Sequence, residues 1–226
     1  WQRAYGIMIK HARIENKQIR VPKWVFIALE NGSQAEQLSM SFIPSDWKQK
    51  WMNWQTAESP LYDLPATINA DLRTYQQKGY EWMRLLDEIE AGVFLADDMG
   101  LGKTLQTICY IAYLTENRNA GNILIICPAS LIYNWQNEIN KFAPGIRSVV
   151  YHGSSREEAL FEHEDVQVII STYGTIRSDE DFVLTQRFVA VILDESHTIK
   201  NPGSQITKLI HQLNAEKRVV LSGTPV

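Results

Sequence analysis

The pattern of hydrophobic and polar positions changes near residue 66. Beyond it, short unbroken apolar runs predict strands at 93–97, 122–128, 148–152, 166–172, 188–194 and 218–222. Between them, apolar residues at helical spacing predict helices at 75–91, 103–116, 131–142 and 204–214. Unbroken runs such as 123–126 and 189–193 imply strands that are buried on both faces. The alternation therefore predicts an α/β fold with a mostly parallel sheet covered by helices.

The first 66 residues have a different pattern. Two β-like runs, 5–11 and 25–30, lie near polar turn segments at 15–17 and 31–33. Three tryptophans, Trp47, Trp51 and Trp54, recur at helical spacing, which favours a core or docking stripe over a platform for stacking bases. We therefore predict two domains: a small β-rich or mixed accessory module at 1–66, through which protein partners could bind, and a larger domain at 67–226.

Composition and charge narrow the classes of partner. Hydrophobic residues make up 45% of the 226 residues, which is enough for a sizeable core. The net charge of −4 gives no global positive field, although a local groove can still be basic. Cys109 and Cys127 lie in apolar runs, as buried reduced thiols of intracellular proteins do. No apolar run approaches the length of a membrane-spanning helix, so we expect no membrane association.

A glycine-rich turn, DDMGLGKT at residues 97–104, follows the first predicted strand and opens a helix. Small residues let backbone N–H groups point at phosphate oxygens, and the helix adds the positive end of its dipole. We expect Lys103 to contact the β- and γ-phosphates of ATP and the Thr104 hydroxyl to ligate Mg²⁺. The residues expected to cradle the phosphates are Asp98, Met99, Gly100, Leu101 and Gly102. The loop begins with Asp97, where the generic pattern has glycine.

A pair of carboxylates closes the predicted strand 188–194. Carboxylates at the carboxyl end of a parallel strand point into the crevice where such sheets bind ligands. Asp194 can hold Mg²⁺, and Glu195 can orient and deprotonate an attacking water. In isolation the pair would be two solvated carboxylates, but a phosphate-binding loop upstream favours the catalytic interpretation. Beside them, His197 is interpreted as a relay to the γ-phosphate region.

Taken with the stretch 221–225 (LSGTP), these motifs resemble motifs I, II and III of superfamily-two helicases. More narrowly, the loop 97–104 resembles that of Swi/Snf-type DNA translocases, in which an Asp at position 97 is normal, and a bacterial member is expected. The resemblance implies a P-loop NTPase of RecA-like, three-layer α/β/α fold. It also implies coupling roles for His197, Ser222 and Thr224. Residues 72–82 resemble the adenine-side motif of that family, which implies that Gln76 contacts adenine with Arg73 nearby.

Two further segments resemble motifs of that family that contact nucleic acid. Residues 127–131 (CPASL) and 170–174 (ISTYG) both lie where a strand ends and a helix begins. There, backbone N–H groups and the hydroxyls of Ser130 and Thr172 could contact DNA phosphates, or the hydroxyls could cap helices, and one residue could do both. Lys200 is a further candidate for phosphate contact, with a solvated lysine as the alternative.

The resemblance covers about residues 70–226 and implies the first lobe of a two-lobed translocase. The second RecA-like lobe, with its arginine fingers, would follow Val226 and would be a partner of this lobe. The implied activity is DNA-dependent ATP hydrolysis that moves the protein along double-stranded DNA through backbone contacts. The expected location is the cytoplasm, at the nucleoid of a bacterium, or the nucleus of a eukaryote. The alternatives are a strand-separating RNA or DNA helicase and a scaffold that binds nucleotide without turnover.

Overall fold

The computed structural model describes residues 13–15, 18–20, 45–56, 61–88, 92–95, 100–117, 121–154, 156, 165–199, 201 and 203–223. Eight strands are present in these ranges: β1 (Arg13–Glu15), β2 (Gln18–Arg20), β3 (Val93–Leu95), β4 (Asn122–Cys127), β5 (Ser148–Tyr151), β6 (Val168–Thr172), β7 (Arg187–Leu193) and β8 (Asn214–Leu221). The helices are α1 (Ser45–Thr56), α2 (Thr74–Glu88), α3 (Lys103–Asn117), α4 (Ile132–Phe142), α5 (Tyr173–Ser178), α6 (Glu180–Thr185) and α7 (Gln205–Gln212). Short 3₁₀ helices lie at Ala129–Leu131 and Ser196–Ile199.

The main sheet has six strands in the order β3-β8-β7-β4-β6-β5. Every neighbouring pair in it is parallel. Alternate residues of β4 point to opposite faces: Ile123 and Ile125 pack in one apolar cluster, and Leu124 and Ile126 pack in the other. Helices α2, α3 and α4 cover the first face, and α5 and α7 cover the second. The sequence prediction of a parallel sheet between two helical layers is therefore confirmed.

The predicted elements beyond residue 66 are all present, with small differences at their ends. The largest difference is in β8, which begins at Asn214 and not at 218. Its first half is charged, pairs with β7 from Asn214 onward, and makes two ion pairs. Glu216 lies 3.0 Å from Arg187 of β7, and Lys217 lies 2.7 Å from Asp87 of α2. Apolar runs in the sequence therefore do not reveal the charged first half of β8.

Two short helices between β6 and β7, α5 and α6, were not predicted. Asp179 lies between them, and its carboxylate accepts hydrogen bonds from Tyr151 at 2.7 Å and from Arg156 at 2.8 Å. The corner is therefore fixed by polar contacts to β5 and to the segment after it. Helices of this length carry too few apolar positions to show a helical period.

The amino-terminal part contains both strands and a helix in its described ranges. Strands β1 and β2 pair antiparallel around the turn predicted at 15–17. The tryptophan spacing falls on α1, and the Trp54 ring packs on Trp82 of α2 with 5.2 Å between centroids. Lys50 of α1 also lies 2.7 Å from Glu88 of α2. These contacts agree with a docking role for the stripe, while the runs at 5–11 and 25–30 and the turn at 31–33 lie outside the described residues.

Both cysteines are buried, and neither forms a disulfide bond. Burial raises the pKa of the Cys109 thiol to about 12 and that of the Cys127 thiol to about 12. Both thiols therefore stay protonated and act as small apolar side chains. None of the helices in the described ranges is long and apolar enough to cross a bilayer.

Candidate functional site

The described site residues that follow strands lie at one side of the sheet, because parallel strands all end at the same side. We call this side the carboxyl rim. The loops meet it in the order of their strands: the glycine-rich loop after β3, Ser222 after β8, Asp194 after β7, Ser130 after β4, Thr172 at the end of β6 and His152 after β5. The rim therefore has a nucleotide half (after β3, β8 and β7) and a half that carries the candidate DNA segments (after β4, β6 and β5).

The described end of the glycine-rich loop contains two backbone conformations that favour glycine. Gly100 and Gly102 have φ values of +85° and +76°, in the left-handed region that favours glycine. Lys103 and Thr104 then open α3, so their backbone N–H groups lie in the first turn of a helix, at the positive end of its dipole. Of the predicted phosphate-binding residues, Asp98 and Met99 lie outside the described residues. The assignment of the loop to phosphate stays a prediction.

The side chain of Gln76 links α2 to this loop. Its Nε2 donates to the carbonyl oxygen of Leu101 at 3.5 Å, and its Oε1 accepts from the backbone N–H of Arg73 at 3.0 Å. Gln106 of α3 donates to the same Leu101 oxygen at 3.4 Å. The contact of Gln76 with adenine stays a prediction. In the structure Gln76 also holds the glycine-rich loop, a role that the sequence did not indicate.

Gly102→Ala is expected to weaken nucleotide binding more than Gly100→Ala does. Both substitutions place a Cβ on a left-handed residue, at a cost of roughly 1–2 kcal/mol. At Gly102 that Cβ would also lie 2.4 Å from Gln76 Nε2, whereas at Gly100 it would meet no atom within 4 Å. Titrations with a fluorescent ATP analogue would measure the two affinities. In a Gln76→Ala background, which removes the proposed adenine contact from every variant alike, Gly102→Ala and Gly100→Ala should have equal affinities. Equal affinities for the two single variants in the wild-type background would contradict the proposed clash.

Asp194 is held by four hydrogen bonds. Its backbone N–H donates to Ile126 at 2.9 Å, and its carbonyl accepts from the Tyr173 hydroxyl at 2.8 Å. Its Oδ2 accepts from the Trp135 indole at 2.9 Å, and its Oδ1 accepts from the Glu195 N–H at 2.9 Å. Each carboxylate oxygen keeps a lone pair, so the group is fixed in orientation and still able to bind a cation. No local sequence pattern indicated Trp135 or Tyr173 as partners.

The electrostatics of Asp194 have opposing contributions. Burial raises the pKa of the Asp194 carboxyl, and the charge of Glu195 raises it further. The hydrogen bonds from Trp135 and from the Glu195 N–H lower that pKa, as does the positive charge of Lys103. The positive charge of Lys103 therefore acts on Asp194, as expected if both residues belong to the predicted nucleotide site.

Glu195 is the only described residue other than glycine with a positive φ, at 49°. This conformation costs a residue with a side chain roughly 1–2 kcal/mol. The hydrogen bond between its N–H and Asp194 Oδ1 helps to hold it. Strain of this kind persists where the surrounding structure imposes it, and it is concentrated in active sites.

Thr104 and Asp194 fit Mg²⁺ by their chemistry, because both offer the oxygen donors that this cation prefers. The anchored carboxylate of Asp194 supports the assignment. Across the described ranges, no cluster of three or more His, Cys, Asp or Glu side chains could form a metal cage. Mg²⁺ in nucleotide sites is commonly held by one or two protein oxygens together with substrate phosphates and water, so this arrangement suits it.

The predicted coupling residues are only partly described. The Ser222 N–H donates to the carbonyl oxygen of Leu95 at 3.1 Å, which ties the end of β8 to the strand that leads into the P-loop. His197 lies in the 3₁₀ helix Ser196–Ile199, and its side chain lies outside the described part. Thr224 lies outside the described residues.

The two candidate DNA segments differ in how they use their hydroxyls. Thr172 is buried and caps α5, with its Oγ1 accepting from the Thr175 N–H at 3.0 Å. Ser130 is exposed and caps neither adjacent helix, since Pro128 and Leu131 hold the cap positions without a side-chain bond. Capping therefore accounts for Thr172 and leaves the Ser130 hydroxyl facing solvent. Lys200 lies outside the described residues.

The chain is similar in sequence to several known proteins. A family model described as the SNF2-related domain matches residues 75–226. The TATA-binding protein-associated factor MOT1 of Saccharomyces cerevisiae is 35% identical over 220 residues, covering 91% of this chain and 12% of that protein. An uncharacterized ATP-dependent helicase of Mycoplasma pneumoniae is 40% identical over 223 residues, covering 96% of this chain and 21% of that protein.

A solved structure is similar as well. The SWI2/SNF2 ATPase core of Sulfolobus solfataricus in complex with dsDNA matches with a TM-score of 0.67 and 38% identity, covering 73% of this chain and 35% of that chain. The chain thus spans about a third of that core and a smaller share of the curated relatives. This match confirms the RecA-like fold implied by the sequence motifs.

Proposed function

This chain belongs to the SNF2-related family, and on that basis we propose that it is the first ATP-binding lobe of a DNA-dependent ATPase. In the full-length protein, this lobe would use ATP hydrolysis to move along double-stranded DNA and remodel protein–DNA complexes. The observation that carries the proposal is the carboxyl rim itself. It supports the proposal because left-handed glycines precede Lys103 at the start of α3, and the charge of Lys103 acts on Asp194, whose carboxylate is anchored by the Glu195 N–H.

Each residue of the nucleotide half has a proposed task. Lys103 and the loop N–H groups bind the phosphates, while Thr104 and Asp194 hold Mg²⁺. Bound Mg²⁺ supplies positive charge that offsets charge developing on the phosphates. Glu195 orients the attacking water and accepts its proton. Gln76, with Arg73 nearby, contacts the adenine edge, since an amide offers a donor and an acceptor together.

DNA is proposed to lie across the other half of the rim. The similar Sulfolobus ATPase core is in complex with dsDNA, which supports this choice of partner. Backbone N–H groups, the exposed Ser130 and Lys200 would contact phosphates and not base edges, so binding should be indifferent to sequence. The net charge of −4 gives no long-range attraction, so the lobe alone should bind DNA weakly.

A second lobe is proposed to complete the ATP site. This chain covers 35% of the Sulfolobus core, which leaves room for such a lobe in a protein of that kind. Its arginines would stabilise charge in the transition state, a contribution of about 10³-fold or more in related chemistry. Domain 67–226 would then be the catalytic lobe, and residues 1–66 an accessory module that docks on α2 through α1.

A bacterial origin also stays a proposal. The relatives do not favour it over a eukaryotic origin, since MOT1 of yeast matches 91% of this chain and the Mycoplasma helicase 96%. The protein would work where the DNA is, at the bacterial nucleoid or in the eukaryotic nucleus.

The test of the proposed function is ATP turnover by the full-length protein with and without duplex DNA. We expect duplex DNA to stimulate turnover and the chain of residues 1–226 alone to hydrolyse ATP poorly. The stimulated rate should fall steeply with salt, because phosphate contacts release counterions. Equal, DNA-stimulated rates in the full-length protein and in the chain of residues 1–226 would contradict the need for a second lobe.

A strand-separating helicase is the alternative within the same fold. Unwinding of a duplex with a single-stranded tail, or stimulation by single strands alone, would favour it. Nucleotide binding without any turnover would favour a scaffold.

A further inference from the structure

Asp194 lies at the junction of the two halves of the carboxyl rim. It follows β7, which pairs with β8 of the nucleotide half on one side and with β4 of the DNA half on the other. Three of its four hydrogen bonds go to elements of the DNA half, and the fourth comes from Glu195. A residue that holds the metal is therefore fastened mainly to the segments proposed to contact DNA.

Trp135 makes the first of these connections. Trp135 lies on α4. Ser130 lies in the 3₁₀ turn Ala129–Leu131, which runs directly into this helix. The side chain of Trp135 is 1% exposed, and its indole N–H donates to Asp194 Oδ2 at 2.9 Å. A displacement of the start of α4 therefore reaches a carboxylate oxygen of Asp194 through one rigid side chain.

Tyr173 makes the second connection. It follows Thr172 directly, is buried, and donates its hydroxyl to the carbonyl oxygen of Asp194 at 2.8 Å. That carbonyl belongs to the peptide bond that joins Asp194 to Glu195. Tyr173 is therefore placed to control the orientation of the peptide immediately before the proposed catalytic base.

The element that could respond is the strained backbone at Glu195. Its φ of 49° is held in part by the bond from its N–H to Asp194 Oδ1, so the orientation of Asp194 bears on the orientation of Glu195. A left-handed residue is separated from the ordinary extended and helical regions, so relief of the strain would move Glu195 to a second, discrete arrangement. Coupling between sites requires a two-state element of this kind, which both sites can bias.

We propose that Trp135 and Tyr173 are positioning residues that couple DNA contact to the nucleotide site. Phosphate contact at the segments after β4 and β6 sets the positions of α4 and Tyr173. Through the two hydrogen bonds it sets the orientation of Asp194 and, with it, of Glu195. This inference rests on the proposed function and explains how DNA would stimulate hydrolysis from the far half of the rim.

The test uses Trp135→Phe and Tyr173→Phe in the full-length protein, each of which removes a donor and keeps an aromatic ring. Affinity for a duplex oligonucleotide is measured by fluorescence anisotropy, with and without Mg²⁺ and a non-hydrolysable ATP analogue. The ratio of the two affinities is the coupling, which is typically about 5- to 150-fold in linked systems. DNA stimulation of ATP turnover is measured in parallel.

We expect the coupling and the DNA stimulation to fall about tenfold in Trp135→Phe, whose lost bond is to a charged group, and about fivefold in Tyr173→Phe. DNA affinity without nucleotide, and nucleotide affinity without DNA, should change less than about twofold. Trp54→Phe, which alters a tryptophan of α1 packed on Trp82 and outside the predicted nucleotide motifs, is the matched control and should leave the coupling unchanged.

Unchanged coupling in both variants would overturn the inference. A parallel loss of the DNA affinity without nucleotide and of the nucleotide affinity without DNA would also overturn it, because a purely structural role predicts that result. If Trp135→Phe does not fold, Tyr173→Phe decides alone, since it removes a single oxygen. A wild-type protein that shows no DNA stimulation would instead show that the proposed function fails, and this is visible before any variant is made.

Discussion

Replacing Glu195 with Gln is expected to lower the DNA-stimulated rate of ATP hydrolysis by the full-length protein about 10²- to 10⁴-fold. Glutamine keeps the shape of the side chain and removes the base that would accept a proton from the attacking water. Asp194, Lys103 and the loop stay in place, so nucleotide should still bind. Steady-state turnover and titration with a fluorescent ATP analogue would separate the two effects.

The contrast with Lys103→Ala sharpens this prediction. That variant removes the charge facing the phosphates and should lose both turnover and nucleotide-dependent thermal stabilisation. Glu180→Gln is the matched control, since it removes an exposed carboxylate at the start of α6. Turnover by Glu195→Gln close to that of the wild type would show that Glu195 is not the base. Loss of binding in that variant would show a role in holding nucleotide.

The layered fold was predictable because strands that are buried on both faces appear in the sequence as unbroken apolar runs. The unbroken apolar runs of β4 and β7 and the helical spacing in α3 and α4 each lie within a short window of sequence. The candidate functional loops could be picked out for a related reason, although their roles stay predictions. Their residue types are dictated by phosphate and metal chemistry at a strand end, and that pattern is also local.

The polar contacts were not predictable, since their partners are distant in sequence. Trp135 and Asp194 meet only because β4 and β7 are neighbours in the sheet, which no local pattern reveals. The start of β8 was missed for the same reason, since its charged residues are held by Arg187 and Asp87. Thr172 shows the opposite case: capping, DNA contact or both were open from its sequence, and the structure shows capping, while DNA contact stays a prediction.

The buried cluster around Asp87 leads to the largest expected effect on stability. The Asp87 carboxylate is 4% exposed and lies 2.7 Å from Lys217, which is 12% exposed. It also accepts hydrogen bonds from Tyr110 at 3.1 Å and from Tyr113 at 3.4 Å. The cluster therefore joins α2 and α3 to β8, which ends at the nucleotide half of the rim.

Asp87→Ala is expected to destabilise the chain by about 3–5 kcal/mol, because it leaves the Lys217 ammonium buried without its counter-charge. For a chain of this size the melting temperature should fall by about 6–20 °C, which thermal unfolding followed by circular dichroism would measure. Adding Lys217→Met should recover much of the loss, since an apolar side chain of similar length removes the uncompensated charge. Because the two residues share one interaction, their effects should be strongly non-additive. Additive losses in the double variant would mean that the pair contributes little and that Asp87 acts mainly through the two tyrosines.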